Sequence, residues 1–306
     1  MQIYSIHQIN LLDYARSKGL LRLSDKSFPK KGIYIDSSRY LDTFEKIFTL
    51  SKDPYFGLHF GSYLNIEALE SVYQVSMKAT KIEQVIQLWT DYADTNFPLV
   101  KFKSSLKNNY FVLELSNILP LDNQILDTIF TFVFRELTLI MGDNDFDIIL
   151  PYSKNKEYSN WYKKPITKGS KHAFLFKKSF LEQEINPKRK SDLELILPHF
   201  LTLISHTKKK NNFSNDVRNM ILNMSNPELP NLKQVASQFA MTERTLQRKL
   251  EQESLSFRKI TNKIKKELNF YLQKGIKIKT QDIAYLLGYS SASAYLHAVN
   301  EWRNSS

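Results

Sequence analysis

A short pattern occurs twice in the last quarter of this 306-residue chain. Residues 235–241 read VASQFAM, and residues 283–289, 48 positions later, read IAYLLGY. Both copies have a β-branched residue, then alanine, two variable positions, a large apolar residue, a small residue and a large apolar residue. A hydroxyl residue and an amphipathic segment follow each copy, ERTLQRKL after the first and ASAYLHAV after the second. The repeat predicts two copies of one small helical unit and therefore an all-α C-terminal domain.

The residue types in each copy fit two helices joined by a tight turn. The alanine in each copy lets a second helix cross closely, and the small residue Ala240 or Gly288 occupies the turn. Thr242 and Ser291 stand where a side chain would cap the helix that follows. The free amides at that helix start can point toward phosphates. We therefore predict two helix-turn-helix units.

The helix after the first turn has two distinct faces. Arg244, Gln247 and Arg248 are spaced to share an outward face. Arginine pairs with guanine edges or with phosphate, and glutamine pairs with adenine. An amphipathic helix in solvent would show the same pattern, but the repeat favours DNA recognition. The residues predicted to hold the two second helices to the core are Leu246, Leu250, Tyr295 and Val299.

Positive charge is concentrated around the repeat. The whole chain has a net charge of +12, and residues 231–280 alone carry twelve Lys and Arg against four Glu, a net +8. A localised basic region favours a polyanionic partner, either nucleic acid or an anionic membrane. Its position around the repeat favours double-stranded DNA.

The length predicts two domains, an α+β domain over 1–206 and an all-α domain over 215–306. The polar run TKKKNNFS at 207–214 is the predicted linker. In the first domain the predicted helices are 40–50, 81–92 and 122–141, and the predicted strands are 109–115, 146–150 and 172–176. Asp122 is a plausible cap for the third of these helices, and Asn231 with Gln234 matches a capping box at the start of another helix.

The C-terminal region resembles the DNA-binding domain of AraC/XylS-type transcriptional regulators. The resemblance rests on MTERTLQRKL, on SFRKITNKIKKELNFYL as the connecting helix, and on QDIAYLLGYSSASAYLHAVNEW. It implies two recognition helices in successive major grooves of promoter DNA. The implied DNA-facing residues are Thr242, Arg244, Thr245, Gln247, Arg248, Ser291, Ala292, Ser293, Leu296 and His297. In the connecting helix, Lys263, Lys265 and Lys266 are the predicted contacts to the DNA backbone.

The first domain resembles the arabinose-binding-like sensor domain of one branch of this family. The segments that carry this are DPYFGLHFGSYLNIEALESVYQVSMKATKIEQVIQLWTDYA and FDIILPYSKNKEYSNWYKKPITKGSKHAFLFKKSFLEQEIN. The chain departs from the family in its second recognition helix, where Leu296 is apolar and His297 stands at a position usually occupied by arginine. The last helix also lacks its usual continuation after Trp302. We therefore expect the first unit to carry most base readout.

Composition and motifs argue against other classes of protein. The chain has no cysteine, which excludes disulfides and thiolate chemistry, and its eight glycines form neither a dinucleotide-binding fingerprint nor a P-loop. Gly57 and Gly61 suggest a turn or close packing instead. The six histidines have no metal-ligand spacing, and the start of the chain has no signal-peptide pattern. The apolar run 125–141 contains Asp, Arg and Glu, so we expect a core helix and not a membrane span. Together these observations lead us to expect a cytoplasmic protein that uses no cofactor or metal and is not an enzyme.

The partners expected beyond DNA are RNA polymerase, a second copy bound through the first domain, and a small apolar or acidic effector. The effector idea rests on aromatic residues near lysines at 30, 31, 101, 103, 163 and 164. The same aromatics can simply form a core. A DNA-bound structural or antagonist protein without a ligand is the alternative that the sequence leaves open.

Overall fold

The computed structural model describes residues 1–21, 29–64, 79–119, 122–141, 146–152, 156–185, 196, 203, 212–225, 229–274 and 278–304. The chain divides into two compact units, Met1–Pro187 and Lys188–Ser306. Most of the predicted linker lies outside the described residues, as do two of the six histidines, His199 and His206, and two acidic residues of the stretch DNDFD, Asp143 and Asp145. The predicted domain limits therefore stay a prediction.

Unit 1 combines helices with two β-sheets. Its helices are α1 (Ser5–Ser17), α2 (Ser37–Ser51), α3 (Phe56–Tyr63), α4 (Ile82–Asn96), α5 (Asn123–Met141), α6 (Lys156–Tyr162) and α7 (Lys178–Leu181). Its strands are β1 (Gln2–Tyr4), β2 (Tyr34–Asp36), β3 (Val100–Lys107), β4 (Tyr110–Asn117), β5 (Phe146–Leu150), β6 (Ile166–Lys168) and β7 (His172–Lys177). The predicted α+β class of the first domain is confirmed.

The larger sheet has the strand order β3-β4-β7-β5-β6. All neighbouring pairs are antiparallel except β5 with β6, which is parallel. One face of the sheet packs on α5, where the rings of Phe130 and Phe174 stack with centroids 4.2 Å apart. The cap predicted for α5 is present, because the Asp122 carboxylate accepts a 2.7 Å hydrogen bond from the Gln124 amide.

Helices α3 and α5 lie in close contact because two glycines face the contact. A Cβ added to Gly57 would lie 2.2 Å from the Gln124 carbonyl oxygen, and one added to Gly61 would lie 2.4 Å from that of Thr128. No side chain fits at either place. The close-packing role suggested for these glycines is confirmed, but they lie in a helix and not in a turn.

A buried polar network joins α5, α6 and β7. The His172 Nε2 atom lies 2.7 Å from the Asp127 carboxylate and 2.9 Å from the Tyr152 hydroxyl. Tyr158 donates a 2.5 Å hydrogen bond to the other Asp127 oxygen. Burial, followed by the charge of Asp127, raises the pKa of Tyr158. The network satisfies polar groups in the core, and its members are too far apart in the chain for sequence spacing to predict it.

The described part of unit 2 is helical. Its helices are α8 (Phe213–Met224), α9 (Leu232–Gln238), α10 (Glu243–Glu251), α11 (Phe257–Lys274), α12 (Thr280–Leu286) and α13 (Ala292–Asn304). The predicted capping box is present at the start of α9, where Asn231 and Gln234 each accept from the other's backbone amide. Among the described residues of both units, no helix is long and apolar enough to cross a membrane, and no cluster of His, Cys, Asp or Glu could hold a metal ion.

Candidate nucleic-acid interface

The two repeat copies fold into the same turn. Helices α9 and α12 are each followed, two positions after their last residue, by a residue with positive φ. These residues are Ala240, with φ of 50°, and Gly288, with φ of 69°. In both copies the next amide reaches back five residues, from Met241 to the Ala236 oxygen (3.0 Å) and from Tyr289 to the Ala284 oxygen (2.8 Å). This is the Schellman ending of a helix, in which a left-handed residue reverses the chain. The sequence repeat is therefore a repeat of backbone geometry.

Helix α10 begins with a side-chain cap. The Thr242 hydroxyl oxygen accepts a 3.2 Å hydrogen bond from the Thr245 amide and lies 2.9 Å from the Thr245 hydroxyl. Thr242 is exposed and Thr245 is half-buried. The cap fixes the helix start with its remaining amide groups facing outward.

The two faces of α10 are those that the sequence predicts. Leu246 and Leu250 are fully buried, while Arg244, Gln247 and Arg248 are exposed. Because helix positions three and four apart share a face, these three polar side chains form one donor-rich surface opposite the core. We call this surface the α10 face.

Lys249 lies on another side of α10, toward α8. Its ammonium group is 5.2 Å from the ring centroid of Phe213, the first residue of α8. The same helix start is held by Glu253, whose carboxylate accepts from the amides of Phe213 (2.7 Å) and Ser214 (3.0 Å). The loop after α10 therefore anchors α8, which helps to fix the orientation of α10.

Helix α13 is capped and anchored in a similar way. The Ser291 hydroxyl accepts a 3.1 Å hydrogen bond from the Ala294 amide. Tyr295 and Val299 are buried. The Tyr295 hydroxyl donates a 2.6 Å hydrogen bond to Asn269 of α11.

The exposed side of α13 carries few positively charged side chains. Ser293 and His297 are exposed, Ala292 is half-buried, and Leu296 has 49% of its surface exposed. The His297 ring nitrogen lies 3.5 Å from the Glu301 carboxylate, and 78% of the His297 side chain is exposed. An apolar side chain and a histidine beside an acid offer a DNA phosphate little positive charge.

The three lysines predicted to contact DNA lie in α11 but have different surroundings. Lys263 is exposed. The Lys265 ammonium lies 4.3 Å above the Tyr289 ring and 3.5 Å from the Gly288 oxygen, and partial burial lowers its pKa. Lys266 donates a 3.1 Å hydrogen bond to the Trp302 carbonyl near the end of α13. Two of the three lysines therefore hold the second helix pair against α11.

The structure shows further exposed residues that the sequence analysis did not predict as contacts. Between residues 231 and 280 four more basic side chains are exposed: Lys233, Arg258, Lys259 and Lys279. Glu251 also lies on the α10 face, seven residues after Arg244, and Asn300 extends the exposed side of α13, seven residues after Ser293. A spacing of seven residues, which is about two helical turns, would have predicted that Glu251 and Asn300 share these exposed faces.

The chain is similar to one known regulator over part of its sequence and to another, weakly, in its structure. The chain is 33% identical over 79 residues to the HTH-type transcriptional regulator VqsM of Pseudomonas aeruginosa, a match that covers 26% of this chain and 24% of that regulator. The structure of the transcriptional regulator CdpR from Pseudomonas aeruginosa aligns with a TM-score of 0.47 at 16% identity, over 97% of this chain and 95% of that one. No protein-family model matches the chain. The sequence match agrees with the predicted class of protein and does not distinguish the AraC/XylS family from other regulators.

Proposed function

We propose that this chain is a sequence-specific DNA-binding transcription regulator of the AraC/XylS type. In this proposal its two helix pairs act as helix-turn-helix motifs, with α10 and α13 in successive major grooves of promoter DNA. The observation that carries the proposal is the α10 face, where Arg244, Gln247 and Arg248 are exposed on a capped helix opposite buried Leu246 and Leu250. This arrangement suits base readout, because arginine and glutamine make paired hydrogen bonds to guanine and adenine.

The repeated turn and the local charge support the same proposal. Two identical Schellman endings, 48 residues apart, place a capped helix after each turn. The basic residues of 231–280 surround the first of these helices and supply the sequence-independent attraction that DNA binding needs. The partial match to a protein named as an HTH-type regulator agrees with this interpretation.

The two recognition helices have unequal roles in this proposal. Helix α10 carries Arg244, Gln247 and Arg248, whereas α13 has one basic residue, Arg303, in its last turn. We infer that α10 supplies most base contacts and that α13 contributes backbone contacts and fit to the groove. In this proposal unit 1 senses an effector or forms a homodimer. The regulator acts on transcription through contact with RNA polymerase, and these roles stay predictions.

The test compares two variants that remove one positive charge from the same helix. Arg248→Ala should weaken specific binding by about 1–3 kcal/mol and relax the preference at one base position. Lys249→Ala is the matched control, since Lys249 lies over the Phe213 ring on the side toward α8. Fluorescence anisotropy would measure both variants on a duplex selected by the wild-type protein and on variants of it with single base changes.

The result separates recognition from general attraction. If both variants lose the same modest affinity for every duplex, α10 contributes charge only and the assignment of its face is wrong. A promoter-reporter assay then distinguishes a regulator from a DNA-bound structural or antagonist protein, because only the regulator changes transcription.

A further inference from the structure

An apolar cavity of about 80 Å³, partly open to solvent, lies in unit 1. Helices α1 to α5 and strand β3 all contribute to its wall. The lining side chains include His7 of α1, Trp89 and Ala93 of α4, Phe102 of β3 and Phe132 of α5. The wall is therefore built from elements spread over more than a hundred residues of chain, and it belongs to one unit.

The size of this cavity exceeds that of an ordinary packing defect. Protein interiors contain few voids larger than a single water molecule. A water needs roughly 10–15 Å³ of such volume, so this cavity has room for roughly five to eight. Apolar cavities hold water poorly and take up small apolar molecules such as benzene instead. Because an apolar cavity of about 150 Å³ holds benzene, this smaller one suits a short branched chain or a single small ring that extends through its open side.

The polar groups at the wall are uncharged at neutral pH. The described residues that line the cavity include no Lys, Arg, Asp or Glu. Burial lowers the pKa of His7 to about 3. Burial also raises the pKa of Tyr40 and, as the main cause, that of Tyr92. A charged ligand would therefore lose its hydration without gaining a counter-ion from these residues.

The lysines named in the sequence as partners for an acidic effector do not line this cavity. Lys164 is half-buried, and its ammonium group donates a 2.7 Å hydrogen bond to the Phe146 carbonyl and lies 4.2 Å above the Phe146 ring. Lys101 and Lys103 are exposed on β3. An acidic effector would require a cation in the wall of an apolar pocket, and none of these lysines supplies one here.

One polar side chain at the wall has an incomplete set of strong hydrogen bonds. The His7 Nε2 atom lies 3.5 Å from the Tyr92 hydroxyl, which is long for a hydrogen bond. The His7 ring also contacts the Phe97 ring, with centroids 4.7 Å apart. A neutral ligand with one hydroxyl, carbonyl or ring nitrogen could therefore add a hydrogen bond here while its apolar part fills the aromatic wall.

We propose that this cavity is a binding site for a small, neutral and mainly apolar molecule, with His7 as the polar group that orients it. The proposal goes beyond DNA binding and does not depend on it, because the whole wall lies in unit 1. If the proposed function holds as well, this ligand is the effector.

The test uses two probes that share a bromophenyl ring, the neutral bromobenzene and the 4-bromobenzoate anion, which adds a carboxylate to it. Bromine quenches tryptophan fluorescence on contact, and Trp89 lines the cavity. The whole chain of 306 residues would carry Trp161→Phe and Trp302→Phe so that Trp89 is its one tryptophan, which is excited selectively over tyrosine. We expect saturable quenching and a raised Tm with bromobenzene, and at least tenfold weaker effects with 4-bromobenzoate.

Two further variants locate the binding. Ala93→Leu fills the cavity, so it should weaken bromobenzene binding at least tenfold. Thr95→Leu adds a leucine on an exposed position of the same helix and should leave binding unchanged. If Ala93→Leu fails to fold, the quenching of Trp89 in the otherwise unchanged chain still decides the result.

Three outcomes would overturn the proposal. These are the absence of saturable quenching by bromobenzene, tighter binding of 4-bromobenzoate than of bromobenzene, and equal binding by the two leucine variants. None of these results bears on whether α10 binds DNA, so failure here leaves the proposed function to its own test.

Discussion

Lys265 is a predicted contact to the DNA backbone, and its ammonium group lies over the Tyr289 ring. We predict that Lys265→Met destabilises unit 2 and leaves the salt dependence of DNA binding unchanged. The ammonium lies 4.3 Å above the Tyr289 ring, while its partial burial lowers its pKa and so disfavours the charge. A cation–π contact contributes up to about 2 kcal/mol in a desolvated site, which leaves a net contribution of about 1 kcal/mol after the cost of burial, and methionine keeps the apolar stem.

The matched variant is Lys263→Met, which removes the same charge from an exposed position of the same helix. A lysine that neutralises one phosphate contributes about 0.9 to the slope of log K against log salt concentration. We therefore expect the slope to fall by about 0.9 for Lys263→Met and to change by less than about 0.3 for Lys265→Met. Unfolding free energy should show the opposite order, with a loss of about 1 kcal/mol for Lys265→Met alone.

The assay needs no known operator, because the salt-dependent term is independent of sequence. Anisotropy of a labelled duplex gives the slopes, and urea unfolding gives the stabilities. Trp302 reports on α13 when Trp89 and Trp161 are replaced by phenylalanine. Equal slope reductions for the two variants would refute the reasoning, since they would mean that the Lys265 side chain leaves Tyr289 and reaches a phosphate.

Two further predictions concern the turn and the cavity wall. Ala240→Gly should stabilise unit 2 by about 0.5–1 kcal/mol in urea unfolding, because Ala240 has a positive φ of 50° and the equivalent residue of the second copy is Gly288; lower stability would show that the Cβ makes a contact worth more than its strain. The second prediction concerns His7, whose pKa is lowered to about 3 in the folded chain. Between pH 6.5 and pH 3 the unfolded chain therefore binds a proton at this histidine and the folded chain does not, so the free energy of unfolding decreases as the pH decreases. Wild type should therefore lose about 1–2 kcal/mol more than His7→Phe between pH 7 and pH 5; parallel curves for the two proteins would contradict this.

Elements with a strong local signal were predicted well. Strand β5 has the predicted limits, and the helix that the sequence placed at 122–141 is α5, with Asp122 at its start. Strand β3 was not predicted, because two serines interrupt the alternation of apolar and polar residues in VKFKSSLK, and most of the strand is exposed at the sheet edge. Pairing with β4 forms this strand, and such pairing cannot be read from its own residues.

The candidate interface was predictable where helix period and capping decide it. Leucines at 246 and 250 fix which side of α10 is buried, and that leaves its arginines exposed. The lysines of α11 could not be assigned in the same way, because all of them stand on a basic helix and only the packed structure shows which meet Tyr289 or Trp302. The contact between Asp127 and His172 also could not be predicted from sequence spacing, since the two residues are 45 positions apart.

The measurement that tests the central claim most directly is a selection of bound fragments from a random DNA pool. It would use wild type and Arg248→Ala at moderate and at high salt, with sequencing of the retained fragments. We predict an asymmetric site with two half-sites about one helical turn apart, or 10–10.5 base pairs. We also predict that Arg248→Ala relaxes the better-defined half-site only. Retention without any sequence preference, lost at high salt and identical for both proteins, would contradict the account.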